Sequence, residues 1–129
     1  MYSQKVIEHF TSPRNVGRMQ DADGIGNIGE PDCGDNCQVF IKVRDERIMD
    51  VSFLIFGCAA AIASGSATTV IAKGKTIEEA LKITDQDILN ELDGLPVLKQ
   101  HCSNLGAAAL HAAVSDYLVK QGRSIGDYV

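Results

Sequence analysis

The sequence predicts an α+β domain of two layers, in which helices cover a small antiparallel sheet of about three strands. Two segments, 37–43 and 48–56, alternate apolar and polar residues and are joined by the short turn Asp45-Glu46. This pattern predicts an antiparallel hairpin. Helix-type segments follow along the chain, and the last is long. Strands first and helices afterwards is typical of an α+β fold.

The apolar face of the predicted hairpin consists of every second residue along each strand. These residues are Cys37, Val39, Ile41 and Val43 in the first strand, and Met49, Val51, Phe53 and Ile55 in the second. The stretch 24–29 before them contains three glycines and is typical of either a third, edge strand or a loop. It lacks the spacing of a nucleotide-binding glycine loop, so nucleotide binding is not expected.

Along the chain, one helix is predicted before the hairpin and another directly after it. Val6, Ile7 and Phe10 share one face of a short N-terminal helix over 3–10. Residues 58–73 contain no proline and precede Gly74, which predicts a second helix with a glycine C-cap.

The second half of the chain is predicted to be helical throughout. Thr76-x-x-Glu79 and Thr84-x-x-Asp87 are capping-box patterns that begin two short helices. Residues 105–121 carry apolar side chains at helical spacing and precede Gly122, which predicts a long C-terminal helix.

Composition limits the classes of function. A chain of 129 residues is expected to form one domain, 1–129. Its net charge of −5 argues against nucleic-acid binding. No run approaches the roughly 20 apolar residues of a membrane span, and no secretory signal is recognisable. We therefore expect a cytoplasmic protein without a membrane partner.

Four cysteines in a reducing compartment are typical of thiols or metal ligands rather than of disulfides. Cys58 follows a predicted strand and a glycine, in the first turn of a predicted helix. Cys102 is predicted to occupy the corresponding place before the last helix. Free N–H groups and the helix dipole favour a thiolate at both positions. Both cysteines are therefore predicted to be functional.

The remaining candidates lie beside these cysteines or in a loop. Cys33 is in a predicted loop, and Asp35 lies two residues further on, on the same side of an extended chain. Taken alone, Asp35 is typical of a turn residue that hydrogen-bonds its own backbone. Beside a thiolate pair it becomes a candidate oxygen ligand, and a hard oxygen in a thiolate set would make a site that releases its metal. Cys37 continues the apolar strand face and is interpreted as a core residue, with a spare thiol as the alternative. His101 adjoins Cys102 as an alternative ligand or proton acceptor.

His9 and His111 lie on predicted helices without partner spacing. We interpret both as structural or solvent-facing residues.

The chain resembles the iron–sulfur cluster assembly scaffold family, of the IscU type and the NifU N-terminal domain. The matching segments run in order over nearly the whole chain: Tyr2-Ser3-x-Lys5-Val6, His9-Phe10-x-x-Pro13-Arg14-Asn15-Val16-Gly17, Cys33-Gly34-Asp35, Phe56-Gly57-Cys58, Ala61-Ile62-Ala63-Ser64, Lys73-Gly74-Lys75 and His101-Cys102-Ser103.

The resemblance implies a scaffold, not an enzyme, on which iron and sulfide become a 2Fe–2S cluster that passes to apo-proteins. It implies a cysteine desulfurase as sulfur donor and a ferredoxin-like electron donor. It implies Cys33, Cys58 and Cys102 as ligands with Asp35 or His101 as the fourth, and Cys102 as the persulfide acceptor. Zinc can fill such a site in the absence of iron. It leaves open whether two subunits share a cluster and whether the final form is 2Fe–2S or 4Fe–4S.

Two departures from the family pattern affect the expected partners and chemistry. Leu95-Pro96-Val97-Leu98-Lys99 has one proline fewer than the family's chaperone-recognition stretch, so dependence on a dedicated chaperone is not expected. Cys37 stands where the family commonly has an apolar residue.

Two other functions are compatible with the same residues. One is a zinc-dependent sulfurtransferase that relays persulfide, as in SufU relatives, with Cys102 or Cys58 as acceptor; the insertion typical of those relatives is absent. The other is a structural zinc domain. Structural zinc sites favour closed sets of thiolate and imidazole, which Asp35 would not complete.

Overall fold

The computed structural model describes residues 2–30, 35–96 and 101–128, without the side chains of Glu30, His101, Cys102 and Asp127. The described elements are α1 (Gln4–Thr11), β1 (Gly24–Glu30), β2 (Asp35–Arg44), β3 (Arg47–Phe56), α2 (Ala59–Ala72), α3 (Ile77–Leu81), α4 (Asp85–Glu91), α5 (His101–Lys120) and a 3₁₀ turn (Ile125–Tyr128). The predicted α+β class is confirmed. No helix in the described ranges has the length and apolar character needed to cross a bilayer.

The sheet is antiparallel, in the order β1-β2-β3. The glycine-rich stretch is therefore a strand and not a loop. Asp45 and Glu46 connect β2 to β3 with φ values of 55° and 64°. Two left-handed residues match the twist of a two-residue hairpin, as the sequence predicted.

The predicted alternation along β3 is wrong at Met49. The register passes from Lys42–Asp50 to Val43–Ile48, so Met49 has no partner in β2 and forms a bulge. One extra residue moves the inward position to Ile48, which is fully buried, while Met49 is 50% exposed.

Glycines in β1 let α5 lie directly on the sheet. A Cβ on Gly26 would overlap the Ala109 carbonyl oxygen, and one on Gly24 would overlap that of Ala113. The helix and the strand run in opposite directions, because the later strand residue contacts the earlier helix residue. Backbone contact at this distance requires glycine, which explains Gly24 and Gly26.

Both predicted capping boxes are present. The Thr76 hydroxyl accepts a hydrogen bond from the Glu79 N–H, and the Thr84 hydroxyl accepts one from the Asp87 N–H. In return, the carboxylate of each acidic residue accepts a hydrogen bond from the backbone N–H of its threonine. Lys73 is the C-cap residue of α2, and Gly74 follows with φ 87°. The sequence thus predicted these helix ends correctly.

The start of the last helix differs from the prediction. The helix begins at His101, one turn before residue 105, so Cys102 lies within its first turn rather than before it. Ser103 is fully buried there. The helix therefore starts before Ser103, a residue type that favours a cap position, and buries it within its first turn.

His9 fixes α1 to the rest of the molecule and is 2% exposed. Its Nδ1 lies 2.7 Å from Ser66 Oγ in α2, and its Nε2 lies 3.5 Å from a carboxylate oxygen of Glu91 in α4. The Arg14 backbone N–H donates to the same Ser66 oxygen, so the hydroxyl proton is available to His9. Burial lowers the pKa of His9, which favours the neutral ring. The structural interpretation of His9 is confirmed.

Candidate metal and sulfur site

The start of β2 and the end of β3 lie side by side at one end of the sheet. Asn36 pairs with Phe56, so Asp35 comes level with Gly57, the residue after the strand. Asp35 also pairs with Glu30 at the end of β1. The Asp35 residue is 7% exposed, whereas Phe56 is 80% exposed. A buried carboxyl group and an exposed phenyl ring therefore mark this end of the hairpin.

The Asp35 carboxyl group lies against Gly57. A Cβ built on Gly57 would be 2.8 Å from both Cγ and Oδ1 of Asp35. Real Cβ atoms are not found so close to other heavy atoms, so the carboxyl group occupies the space that a side chain at position 57 would need. Since Cys58 is the next residue, the carboxyl group is adjacent to the backbone of a cysteine.

Cys58 is the N-cap residue of α2, with φ −77° and ψ 175°. Its side chain makes no capping hydrogen bond and is partly exposed. The first N–H groups of a helix and its dipole create positive potential at this end, which favours an anionic sulfur. The predicted placement of Cys58 at a helix N-terminus is confirmed.

The N-terminal part of α5 runs toward the same end of the sheet. Gly24 of β1 contacts α5 at Ala113, and Gly26 contacts it at Ala109, so the helix and the strand are antiparallel. The part of α5 that precedes Ala109 therefore extends toward the end of β1 where Glu30 pairs with Asp35.

A second close contact joins α5 to α2. A Cβ on Gly106 would overlap the Thr68 hydroxyl oxygen and would lie 3.4 Å from the Ser64 carbonyl oxygen. Ala107 belongs to the same buried cluster as Ala60 and Ala61 in the first turn of α2. The N-terminal parts of the two helices that carry Cys58 and Cys102 are thus packed together by small residues.

Cys37 is separated from this surface by burial. It is fully buried in the cluster that contains Val39 and Phe53, and burial raises the pKa of its thiol to about 12. A thiol with such a pKa stays protonated at neutral pH and is a poor ligand and nucleophile. The core interpretation of this residue is confirmed.

The structure does not describe three of the candidate ligand side chains. Cys33 is not described, and the side chains of His101 and Cys102 are not described. Among the described side chains, no three His, Cys, Asp or Glu residues lie close enough together to hold a metal ion. The described contribution to the site is the Asp35 carboxyl group beside Gly57 and Cys58.

Comparison with known proteins identifies the family. The family model described as the NifU-like N terminal domain matches residues 1–124. The chain belongs to the NifU-like N-terminal domain family.

The relatives of this NifU-like domain cover most of its length. The iron-sulfur cluster assembly scaffold protein IscU 1 of Archaeoglobus fulgidus is 58% identical over 123 residues, which is 95% of this chain and 80% of the relative. The iron-sulfur cluster assembly scaffold protein IscU of Haemophilus influenzae is 48% identical over 125 residues, covering 94% of this chain and 98% of the relative.

A solved structure has the same fold. The N-terminal part of a NifU-like protein from Brucella abortus superposes with a TM-score of 0.77, with 92% of this chain and 94% of that chain covered. Its sequence identity is 16%, so the fold persists where most residues differ.

Sequence reasoning gave Gly57 no role of its own. The residue appeared only as part of the Phe56-Gly57-Cys58 motif and as the residue before a helix. Nothing in the local sequence indicates that Asp35, 22 positions earlier, fills the space above it. Only the register of β2 and β3 shows this contact.

Proposed function

We propose that this chain is a scaffold on which iron and sulfide are assembled into a 2Fe–2S cluster, which is then transferred to apo-proteins. The observation that carries the proposal is the buried Asp35 carboxyl group beside Cys58 at the N-terminus of α2. Family membership supports it, because relatives that share about half of the residues are named iron-sulfur cluster assembly scaffold proteins. The protein would be one domain and a cytoplasmic carrier rather than an enzyme.

The proposed ligands are the thiolates of Cys33, Cys58 and Cys102, with Asp35 or His101 as the fourth. Thiolates are the usual ligands of iron–sulfur clusters. The described residues suit such a cargo, because Cys58 is partly exposed and lies where a helix N-terminus favours negative charge. An oxygen ligand binds a soft iron–sulfur unit more weakly than a thiolate does, so Asp35 would keep the cluster transferable.

Sulfur delivery is proposed to begin at Cys102. Its thiolate would attack the outer sulfur of a persulfide on a cysteine desulfurase, take that sulfur, and leave the desulfurase cysteine as a thiolate. Release of this sulfur as sulfide restores the Cys102 thiolate and consumes two electrons. A ferredoxin-like donor would supply them.

The buried Cys37 would take no part in this exchange. Because its pKa is raised to about 12, its thiol would not compete with Cys102 for the incoming sulfur. Burial thus separates one cysteine from the three proposed ligands.

The test is anaerobic assembly with a cysteine desulfurase, cysteine, ferrous iron and a reductant. We expect iron and acid-labile sulfide in equal amounts per chain, and their transfer to an apo-ferredoxin in a second step. The matched control is the same mixture without the desulfurase. One tightly bound zinc per chain, with persulfide on a cysteine and no labile sulfide, would instead identify a persulfide-relay sulfurtransferase.

A further inference from the structure

Gly57 occupies a position where glycine is not required by the backbone. The glycines with left-handed φ among the described residues are Gly17, Gly74, Gly94 and Gly122, and Gly57 is not one of them. Any residue can therefore adopt the φ value at position 57. What distinguishes this position is the space beside it.

That space is filled by Asp35 and Ala61. A Cβ on Gly57 would be 2.8 Å from the Asp35 carboxyl carbon and oxygen, and 2.9 Å from the Ala61 Cβ. The Ala61 methyl group is fixed to the backbone of α2, whereas the Asp35 carboxyl group lies at the end of a side chain with two rotatable bonds. An added methyl group at position 57 would therefore displace mainly the carboxyl group.

We propose that Gly57 is a positioning residue, whose lack of a side chain lets the Asp35 carboxylate lie beside Cys58 and so sets how tightly the site holds metal. The effect on metal binding rests on the proposed function, in which Asp35 is a ligand. The geometry depends only on the contact between positions 35 and 57. Groups that orient metal ligands commonly change metal affinity by about 10-fold to 100-fold when they are altered.

The experiment compares Gly57→Ala, Asp35→Ala and the double variant Asp35→Ala/Gly57→Ala with the parent chain. Cobalt(II) binding to the apo-protein is followed by titration and by its visible spectrum, which reports the ligands of a tetrahedral site. This measurement needs no desulfurase and no cluster. The half-life of a reconstituted cluster is measured separately.

Gly57→Ala is expected to change the cobalt spectrum in the same direction as Asp35→Ala and to weaken cobalt binding by about tenfold. Both variants are expected to retain a reconstituted cluster longer than the parent chain. In the double variant, Gly57→Ala should add nothing, because the carboxyl group through which it acts is gone.

Gly29→Ala is the matched control. Gly29 also lies near Asp35, but its added Cβ would be 3.6 Å from the Asn36 side-chain nitrogen and 3.9 Å from the Asp35 carbonyl oxygen. These are ordinary contacts, so cobalt binding should stay at the parent level.

The outcomes separate this inference from the proposed function. An unchanged spectrum in Gly57→Ala, or a full additional loss in the double variant, would overturn the positioning role. If Gly57→Ala does not fold, restored folding in the double variant supports the contact with Asp35, and continued misfolding shows that Ala61 dominates and overturns it. If the parent chain binds cobalt but assembles no cluster, the proposed function fails. The positioning role is then judged by the cobalt spectra of the variants alone.

Discussion

The two ends of the β2–β3 hairpin make different kinds of contact. At the turn end, Glu46 accepts hydrogen bonds from Arg123 at 2.8 Å and from Tyr128 at 2.7 Å, which ties the C-terminal segment to the turn. At the open end, the Asp35 carboxyl group fills the space above Gly57 beside a partly exposed cysteine. The contacts that close the turn end do not involve the proposed ligands. We therefore expect substitutions at the turn end to affect stability more than the proposed chemistry, and substitutions of the proposed ligands to do the reverse.

The turn end is further braced by the segment that follows α2. The Ile48 N–H donates to Lys75 O, the Gly74 N–H donates to Ile48 O, and the Ile77 N–H donates to Glu46 O, at 2.8 to 2.9 Å. These bonds join the hairpin to the start of α3. We therefore expect variants at the turn end to lower stability and variants at the open end to lower cluster assembly.

Cys58→Ala should have the largest effect on function. We expect loss of nearly all cluster assembly, because a proposed ligand is removed. The free energy of unfolding of the apo-protein should change by no more than about 1 kcal/mol, because the side chain is small and only partly buried. Labile sulfide per chain and denaturant unfolding measure the two quantities.

Cys58→Ser provides the control for that variant. A serine oxygen at the N-cap position can accept a helix N–H, which stabilises helices by about 1 kcal/mol relative to alanine. We expect Cys58→Ser to be more stable than Cys58→Ala and, like it, to assemble no cluster. Normal assembly in either variant would remove Cys58 from the ligand set.

Cys37→Ala tests the other described cysteine at the same end of the sheet. Its sulfur is fully buried, so its removal should destabilise the fold by about 1 kcal/mol, as for other single buried heavy atoms. Cluster assembly should be unaffected. A folded Cys37→Ala chain that fails to assemble a cluster would show that this thiol takes part after all.

The comparison also shows what the sequence could predict. Local signals were sufficient for the turn at Asp45, the capping boxes at Thr76 and Thr84, and the burial of Cys37, since each depends on residues within one element. They were not sufficient for the bulge at Met49, which exists only in the pairing of two strands.

Two features of the open end depend on packing between distant segments. Ser103 is of a type that favours caps, yet it lies fully buried inside α5, a packing that its local sequence does not show. The contact of Gly57 with Asp35 likewise requires the β2–β3 register. The geometry of this end therefore rests on contacts that local patterns do not encode.

Thr76→Ala tests the bracing of the turn end. It removes the oxygen that accepts the Glu79 N–H at 3.1 Å, and with it one half of the capping box. Loss of a threonine cap typically costs about 1 kcal/mol. The free energy of unfolding should fall by this amount, while cobalt binding and cluster assembly stay at the parent level. Reduced assembly at unchanged stability would contradict the separation of the two ends.

Glu46→Gln should have the smallest effect, and one that depends on pH. Hydrogen bonds from Arg123 and Tyr128 lower the pKa of Glu46 below its value of 4.5 in an unfolded chain. The folded state therefore binds a proton less readily than the unfolded state. The stabilisation is present above pH 4.5 and is lost as the pH falls through the lower, folded pKa.

At pH 7 this substitution should cost less than about 1 kcal/mol, because the pair is exposed to solvent. The difference between the parent chain and Glu46→Gln should shrink as the pH falls below 4.5, and the two unfolding curves should converge in acid. A difference that stays constant with pH would mean that the carboxylate charge is not what holds the C-terminal segment. The turn would then be closed mainly by packing of the Tyr128 and Arg123 side chains, which lie 5.9 Å apart from ring centre to guanidinium carbon.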